Sequence, residues 1–356
     1  MKSKRPTIDD VARRSGVARA TVSRVLNGGP NVSDTVRGKV LAAVAELNYR
    51  VNPQARSLAG GGSGLLALVL ASDLEAEPNS FYASALELGA LRECLATGYQ
   101  LLTRPVPQTS PDRDQQVLDL IETQRCQGVI LTPPFADDPD LIERIRRLDC
   151  HVVTISPGPG AHDVADGVGI DDEAAGYDIG AHLIELGHRR FGFIAGIAGH
   201  LSAERRLIGL KRALTDHGLD PDDVKVERGD FTFRSGSLIA AGILDSGHRP
   251  TALVCANDDM AAGALSVAHA RQLDVPRDLS ITGFDDTPVS EIVWPPLTTV
   301  HQPLKAMGAE AVRMLAGRLS GGVAAQEGWR FHTQSHRVVS RASADHLRVR
   351  LASATA

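Results

Sequence analysis

Cysteine is scarce in these 356 residues: Cys94, Cys126, Cys150 and Cys255 stand apart, with no CxxC pair and no histidine cluster nearby. This spacing excludes a disulfide framework and a zinc site, and it points to a reducing compartment. No metal and no cofactor is expected. Long apolar runs are also lacking, because nothing reaches the roughly 18 residues of a membrane span and the N-terminus has no signal-type core. A soluble, cytoplasmic protein without a membrane partner is the expectation. Catalytic signatures are missing as well. There is no GxSxG elbow, no phosphate-binding GxxxxGK[ST] loop and no GxGxxG after the first strand, and Ser, His and Asp show no motif-like grouping. An enzyme is therefore not expected. Aromatics make up only 4% of the chain, so the few that stand near polar residues carry information.

What is present is unevenly charged. Residues 1–62 hold 11 Lys or Arg against 4 Asp or Glu, although the whole chain carries a formal charge of −5. A basic head on an acidic body suggests that the head, and not the body, meets a polyanion. The head begins with TIDDVARRSGVARATVSRVLN from Thr7 to Asn27. Ile8, Val11 and Ala12 share one helical face, and Val22, Val25 and Leu26 share another, with Gly16 in the short turn between them. Thr7 and Asp10 have capping-box spacing. Arg19, Ala20, Ser23, Arg24 and Asn27 fall on the outer side of the second helix. That face is either a solvated cationic surface or one that reads a major groove, where Arg can bond guanine bidentately. Val36, Val40, Val44 and Leu47 give a third helix that closes over the first two. The following NPQARSLAGGGSG has Pro53 at a helix start and three glycines that stop it, so it is either a flexible linker or a segment ordered by a partner.

From Leu65 the pattern changes to short apolar runs separated by amphipathic stretches. Strands are expected at 65–71, 99–103, 128–132, 151–156, 191–196, 251–256 and 279–284. Helices are expected near 80–97, 112–124, 139–148, 173–186, 203–217, 234–246 and 257–271. Repeated strand–helix–strand units imply parallel sheets covered on both faces. The restart after Ile170 implies two lobes with a ligand cleft at the carboxyl ends of their strands.

Together with KVLAAVAELNY, ARSLAG, CANDDMAAGAL, ITGFDDTPVS and PPLTTVHQPLKAMG, the opening stretch closely resembles the LacI/GalR family of bacterial transcription regulators. The resemblance runs from about residue 6 to 340. It implies an N-terminal all-α helix-turn-helix head and an α/β two-lobed body of the type I periplasmic-binding-protein kind. It also implies a homodimer on a near-palindromic double-stranded DNA operator, and a small-molecule effector in the cleft. The implied boundaries are a head at 1–50, a hinge helix and linker at 51–63, a body at 64–342 and a short tail at 343–356. Within the body the first lobe takes about 64–170 and 301–325, and the second about 171–300 and 326–342.

Carried over by position, Arg19, Ala20 and Arg24 fall at base-reading places and Thr21, Ser23, Asn27 and Ser33 at phosphate contacts, with Thr7 counted in the DNA-facing set. Ala55 and Leu58 fall on the hinge helix, whose leucine enters the minor groove in the family; such a wedge unstacks a base step for a few kcal/mol and is offset by contacts to bent DNA. Ala18 stands where the family commonly has a capping serine, a loss of roughly 1 kcal/mol. The effector set is Ser72, Phe81, Tyr82, Ser156, Arg206, Phe231, Asn257, Asp285 and Gln302. Ser156 replaces an aspartate of some sugar-binding members. A sugar or glycoside is the first expectation for the effector. A purine clamped by Phe81 and Tyr82 is the second, and a plain solute-binding protein is the more distant alternative. The tail HLRVRLASATA lacks heptads, which favours a dimer over a coiled-coil tetramer.

Overall fold

A computed structural model describes residues 6–26, 32–47, 49, 63–72, 81–320 and 328–347. Asn27, Ala55, Leu58 and nearly all of the expected hinge segment lie outside the described residues. The chain forms two units, residues 1–64 and 65–356.

The first unit holds α1 (Ile8–Ser15), α2 (Arg19–Leu26) and α3 (Asp34–Glu46). The capping box is present: Thr7 accepts from the Asp10 N–H while Asp10 accepts from the Thr7 N–H, which satisfies two groups that a helix start leaves open. Gly16 ends α1 at φ 67°, a left-handed conformation that glycine adopts without a Cβ clash. Val11, Val22, Val25, Val40 and Ala43 form the buried centre, packed by Ile8, Ala12, Val17, Leu26, Val44, Leu47 and Tyr49. On α3 the core face begins at Val40 and runs through Ala43, Val44 and Leu47, so Val36 stands outside the cluster. Successive intervals of four residues drift around a helix of 3.6 residues per turn, and this moves Val36 off the stripe.

The second unit contains two parallel sheets. The first comprises β1 (Leu65–Ala71), β2 (Gln100–Val106), β3 (Gly128–Leu131), β4 (His151–Ile155), β5 (Asp166–Gly169) and the late strand β11 (Phe331–Thr333). Their spatial order is β11-β5-β4-β3-β1-β2. The helices α4 (Phe81–Thr97), α5 (Arg113–Gln124) and α6 (Pro139–Arg146) belong to this lobe. The second sheet has the order β7-β6-β8-β9, from β6 (Phe191–Ala195), β7 (Lys225–Arg228), β8 (Ala252–Cys255) and β9 (Ser280–Thr282). It is covered by α7 (Asp172–Glu185), α8 (Leu201–Asp216), α9 (Phe233–Leu244) and α10 (Asp258–Ala270). The short α11 (Val289–Ile292) leads into β10 (Thr299–His301), and α12 (Leu304–Leu319) returns to the first lobe. There Leu304, Met307, Ala311, Val312 and Leu315 pack on Leu66, Leu68, Ile130 and Val153. The pair β10 and β12 (Arg337–Val339) is antiparallel.

The chain therefore passes between lobes after β5, after β10 and after β11. The order of each sheet reverses beside its first strand, β1 in one and β6 in the other, which opens a crevice at the carboxyl ends of the strands. Two expected boundaries are corrected. Phe331–Thr333 pairs with Gly167–Gly169 in the first sheet, so 326–342 does not belong wholly to the second lobe. Ser343 is not tail: its hydroxyl donates to the Ile281 carbonyl and accepts from the Thr298 N–H, and the Leu347 N–H donates to the Leu186 carbonyl. Three-residue strands carry too little alternation to be visible as periodicity.

Candidate functional site

Two faces concentrate the candidate residues. On the head, Arg19, Ala20 and Arg24 are exposed along one side of α2, while Val22 and Val25 are buried on the other. Thr21 and Ser23 are half-buried at the edges of that face, and Thr7 and Ser33 are exposed at the starts of α1 and α3. Ser33 caps α3 by position only, without a side-chain bond. Arg19 lies 3.6 Å from Asp9 with both side chains largely in solvent, a weak pair that a phosphate or base edge can displace. The Ala18 side chain offers no cap to α2. Its carbonyl still accepts from the Thr21 and Val22 N–H groups, so the helix starts without the extra bond.

The second face is the crevice of the body, and it is built around Arg206. This residue sits in the second turn of α8, not at a helix start, with 5% of its surface exposed. Its Nε donates to Asp172 Oδ1 at 2.8 Å and its Nη1 to the Ala256 carbonyl at 2.7 Å, while the guanidinium lies 3.6 Å from the centre of the Phe284 ring. These bonds engage two of five N–H donors and fix the plane of the fork. Asp172 is lifted above the ordinary carboxylate range by burial and held back by Arg206.

Asp285 follows β9 at φ 106°, accepts from Gln302 Nε2, and is raised well above the usual range by burial, against the pull of Arg206. Tyr82 of α4 faces the same groups: burial raises its phenol, and the charges of Asp285, Arg206, Asp172 and Asp137 all act on it. Asp137, in the turn after β3, bridges the lobes by accepting from the Gly158 N–H at 2.7 Å and the Leu201 N–H at 3.4 Å. Burial lifts its carboxyl to about 6, and those two N–H groups oppose the shift.

Phe231 supplies an apolar wall. Its ring lies over Gly196, where an added Cβ would approach ring carbons to 1.9 Å, and it meets the His200 ring at 4.6 Å. His200 is pulled down to about 3 by burial and then by Arg206, so it is a neutral imidazole that bonds Ser202 through Nδ1. Asn257 caps α10 by accepting from the Met260 N–H at 3.0 Å, and its Nδ2 donates to the Phe231 carbonyl at 2.8 Å. Its amide thus holds the Phe231 loop in place. Ser156 ends β4 at φ 45°, 4% exposed, and Gln302 is 2% exposed. The Ser156 hydroxyl and Gln302 Oε1 are buried with no hydrogen-bond partner among the described residues. Ser156, Phe231 and Asp285 all adopt positive φ without being glycine, a backbone cost of order 1–3 kcal/mol each, as do Arg125, Asp149 and Gln272 elsewhere in the body.

The remaining expected residues are placed differently. Ser72 is half-buried just beyond β1. Phe81 is 44% exposed at the start of α4, while its neighbour Tyr82 enters the cluster. Adjacent helical residues diverge by about 100°, so the two rings cannot clamp a base between them, and that expectation is corrected. Sequence reasoning missed Asp137, Asp172, His200 and Phe284. Their only signal is position just past a strand or at a helix start, which many residues share.

A helix-turn-helix head followed by a two-lobed, cleft-bearing α/β body defines a ligand-responsive class of DNA-binding protein. Residues 7–52 match the bacterial regulatory proteins of the lacI family, and residues 181–344 match the periplasmic binding protein-like domain. The chain is 34% identical over 311 residues to catabolite control protein A of Priestia megaterium, covering 87% of this chain and 91% of that one. It superposes on a complex of the transcriptional regulator CelR with cellobiose at TM-score 0.72 and 30% identity, covering 95% and 100% of the two chains. It also superposes on the lac repressor dimer bound to operator and an anti-inducer at TM-score 0.78 and 28% identity, covering 96% and 100%. The chain belongs to the LacI family and is a helix-turn-helix transcription regulator, not an enzyme. No described helix is long and apolar enough to cross a membrane.

Proposed function

We propose that this regulator is a cytoplasmic repressor that binds a near-palindromic operator as a homodimer, and that a sugar or glycoside in the body cleft sets its operator affinity. One observation carries the choice of ligand. The Ser156 hydroxyl and Gln302 Oε1 are buried without partners among the described residues, and the proposed cleft groups them with Arg206, Asp285 and the Phe231 ring. Buried polar atoms normally find partners, and a polyol offers hydroxyls that both donate and accept, together with a C–H face for the ring.

On the head, Arg19 and Arg24 read guanines and Ala20 gives an apolar or absent contact, while Thr7, Thr21, Ser23, Asn27 and Ser33 serve the backbone. The hinge residues Ala55 and Leu58 complete the interface at the minor groove. An effector that favours one relative pose of the lobes changes the spacing of the two hinges in the dimer. By linkage, operator DNA changes effector affinity by the same factor.

Calorimetry against sugars, nucleobases and amino acids tests the ligand class, and a mobility shift on the protein's own promoter region tests the regulator. Tight purine binding with silent sugars would overturn the sugar assignment.

A further inference from the structure

The charge arrangement of the cleft defines which sugars can enter, an inference that rests on the sugar reading above and adds the ionic class of the ligand. We infer that the effector is an uncharged sugar or glycoside and that the cleft rejects phosphate esters of the same sugars.

A phosphate is held in proteins by Lys or Arg side chains and by helix N-termini. Among the charges that act most strongly on Tyr82 are three carboxylates, Asp285, Asp172 and Asp137, and one cation, Arg206. Arg206 is already ion-paired with Asp172, both side chains being at most 6% exposed. His200 adds no charge because it is neutral beside Arg206. Nearby cations are also engaged by acids: Arg205 lies 3.8 Å from Asp171 and 3.7 Å from Glu173, and Arg341 bonds Asp286 at 2.7 Å. In the sequence no Lys or Arg occurs from Leu65 to Leu91, a stretch that includes Tyr82.

The helix starts are taken in the same way. The Leu201 N–H at the start of α8 donates to Asp137 from the opposite lobe. The start of α7 is capped by Asp171 and carries Asp172 and Glu173 in its first turn. The start of α10 is capped by Asn257 and carries Asp258 and Asp259. Each of these three positive helix ends thus already faces a side-chain oxygen. A phosphate entering here would lose its hydration and meet the carboxyl groups of Asp137, Asp172 and Asp285 beside an arginine that is already paired, whereas neutral hydroxyls can bond those groups and donate or accept as each requires.

The test uses the full-length protein in calorimetry and thermal-shift titrations. The probes are glucose, fructose, ribose, trehalose and cellobiose, each paired with a phosphate monoester of the same sugar. The expected result is that at least one neutral sugar binds and that its ester binds about a hundredfold more weakly or worse, the low end of what juxtaposed like charges cost. Asp137→Asn, which removes one carboxylate charge and keeps an acceptor oxygen, is expected to narrow that gap. An ester that binds as tightly as its parent, or more tightly, overturns the charge class and leaves the sugar reading standing. A panel that is silent in both forms, alongside binding of a nucleobase, overturns both.

Discussion

Arg206→Ala is the most informative single change in the body, because the residue bonds both Asp172 and the Ala256 carbonyl at the proposed effector site. Alanine leaves the Asp172 carboxylate buried without its hydrogen-bonded cation, with the charge of Arg205 still acting on it, and also removes the donor to the Ala256 carbonyl. Breaking one side of a buried pair costs about 3–5 kcal/mol. The sign with pH follows from Asp172, whose carboxyl is already raised by burial and restrained by Arg206. Without the arginine it rises further. A carboxyl whose folded pKa exceeds its unfolded value loses stability as pH climbs from the unfolded value through the folded one. The deficit is therefore expected to be small in mildly acidic buffer and full above neutrality. Urea unfolding followed by tryptophan fluorescence reads this directly, since Trp294 and Trp329 both lie in the body. Adding Asp172→Asn to Arg206→Ala should recover most of the stability without restoring the effector response. A single variant as stable as the parent at all pH values, or a double variant no better than the single, would refute the reasoning.

Arg24→Ala on α2 is expected to weaken operator binding by about 1–3 kcal/mol and to relax selection at one base pair of each half-site, as read by binding-site selection. Half-sites lacking guanine in the selected pool would contradict the roles given to Arg19 and Arg24. Asp258 is lifted to about 7 by burial, against bonds from Thr299 and Thr287, so the parent should lose stability as pH rises from about 4 to 7, while Asp258→Asn flattens that slope in denaturation curves taken across the window. Gly196→Ala places a methyl into the Phe231 ring and should weaken effector binding by about tenfold or more in calorimetry, with operator binding in the absence of effector retained.

The fold was largely legible because its strongest patterns are the ones burial imposes. The run LLALVLA forms a parallel strand buried along its centre, and TALVCA contains the fully buried strand Ala252–Cys255. What escaped was short or non-local. The strands β5, β10, β11 and β12 have three or four residues each, and the pairing of Phe331–Thr333 with β5 joins segments far apart in sequence. Of the proposed effector residues, Asn257, Asp285 and Gln302 stand in sequence motifs and Arg206 does not, and all four are buried in the body. Asp137, Asp172 and His200 were not legible, because an ordinary Asp or His gains its role only when the tertiary fold brings Arg206 or the opposite lobe beside it. Phe81 and Tyr82 show the converse: adjacency in sequence suggested a joint clamp, and helical geometry separated them.

The account depends most on the head binding DNA under control of the body. The direct measurement is fluorescence anisotropy of labelled DNA from the protein's own promoter region, titrated with full-length protein at several salt concentrations, with and without the neutral sugar found by calorimetry. The account predicts binding at low salt that falls steeply as salt rises, as expected for contacts to phosphates, and a midpoint that shifts when the sugar is present. No binding at low salt, or a midpoint indifferent to a sugar that demonstrably occupies the body, would contradict it.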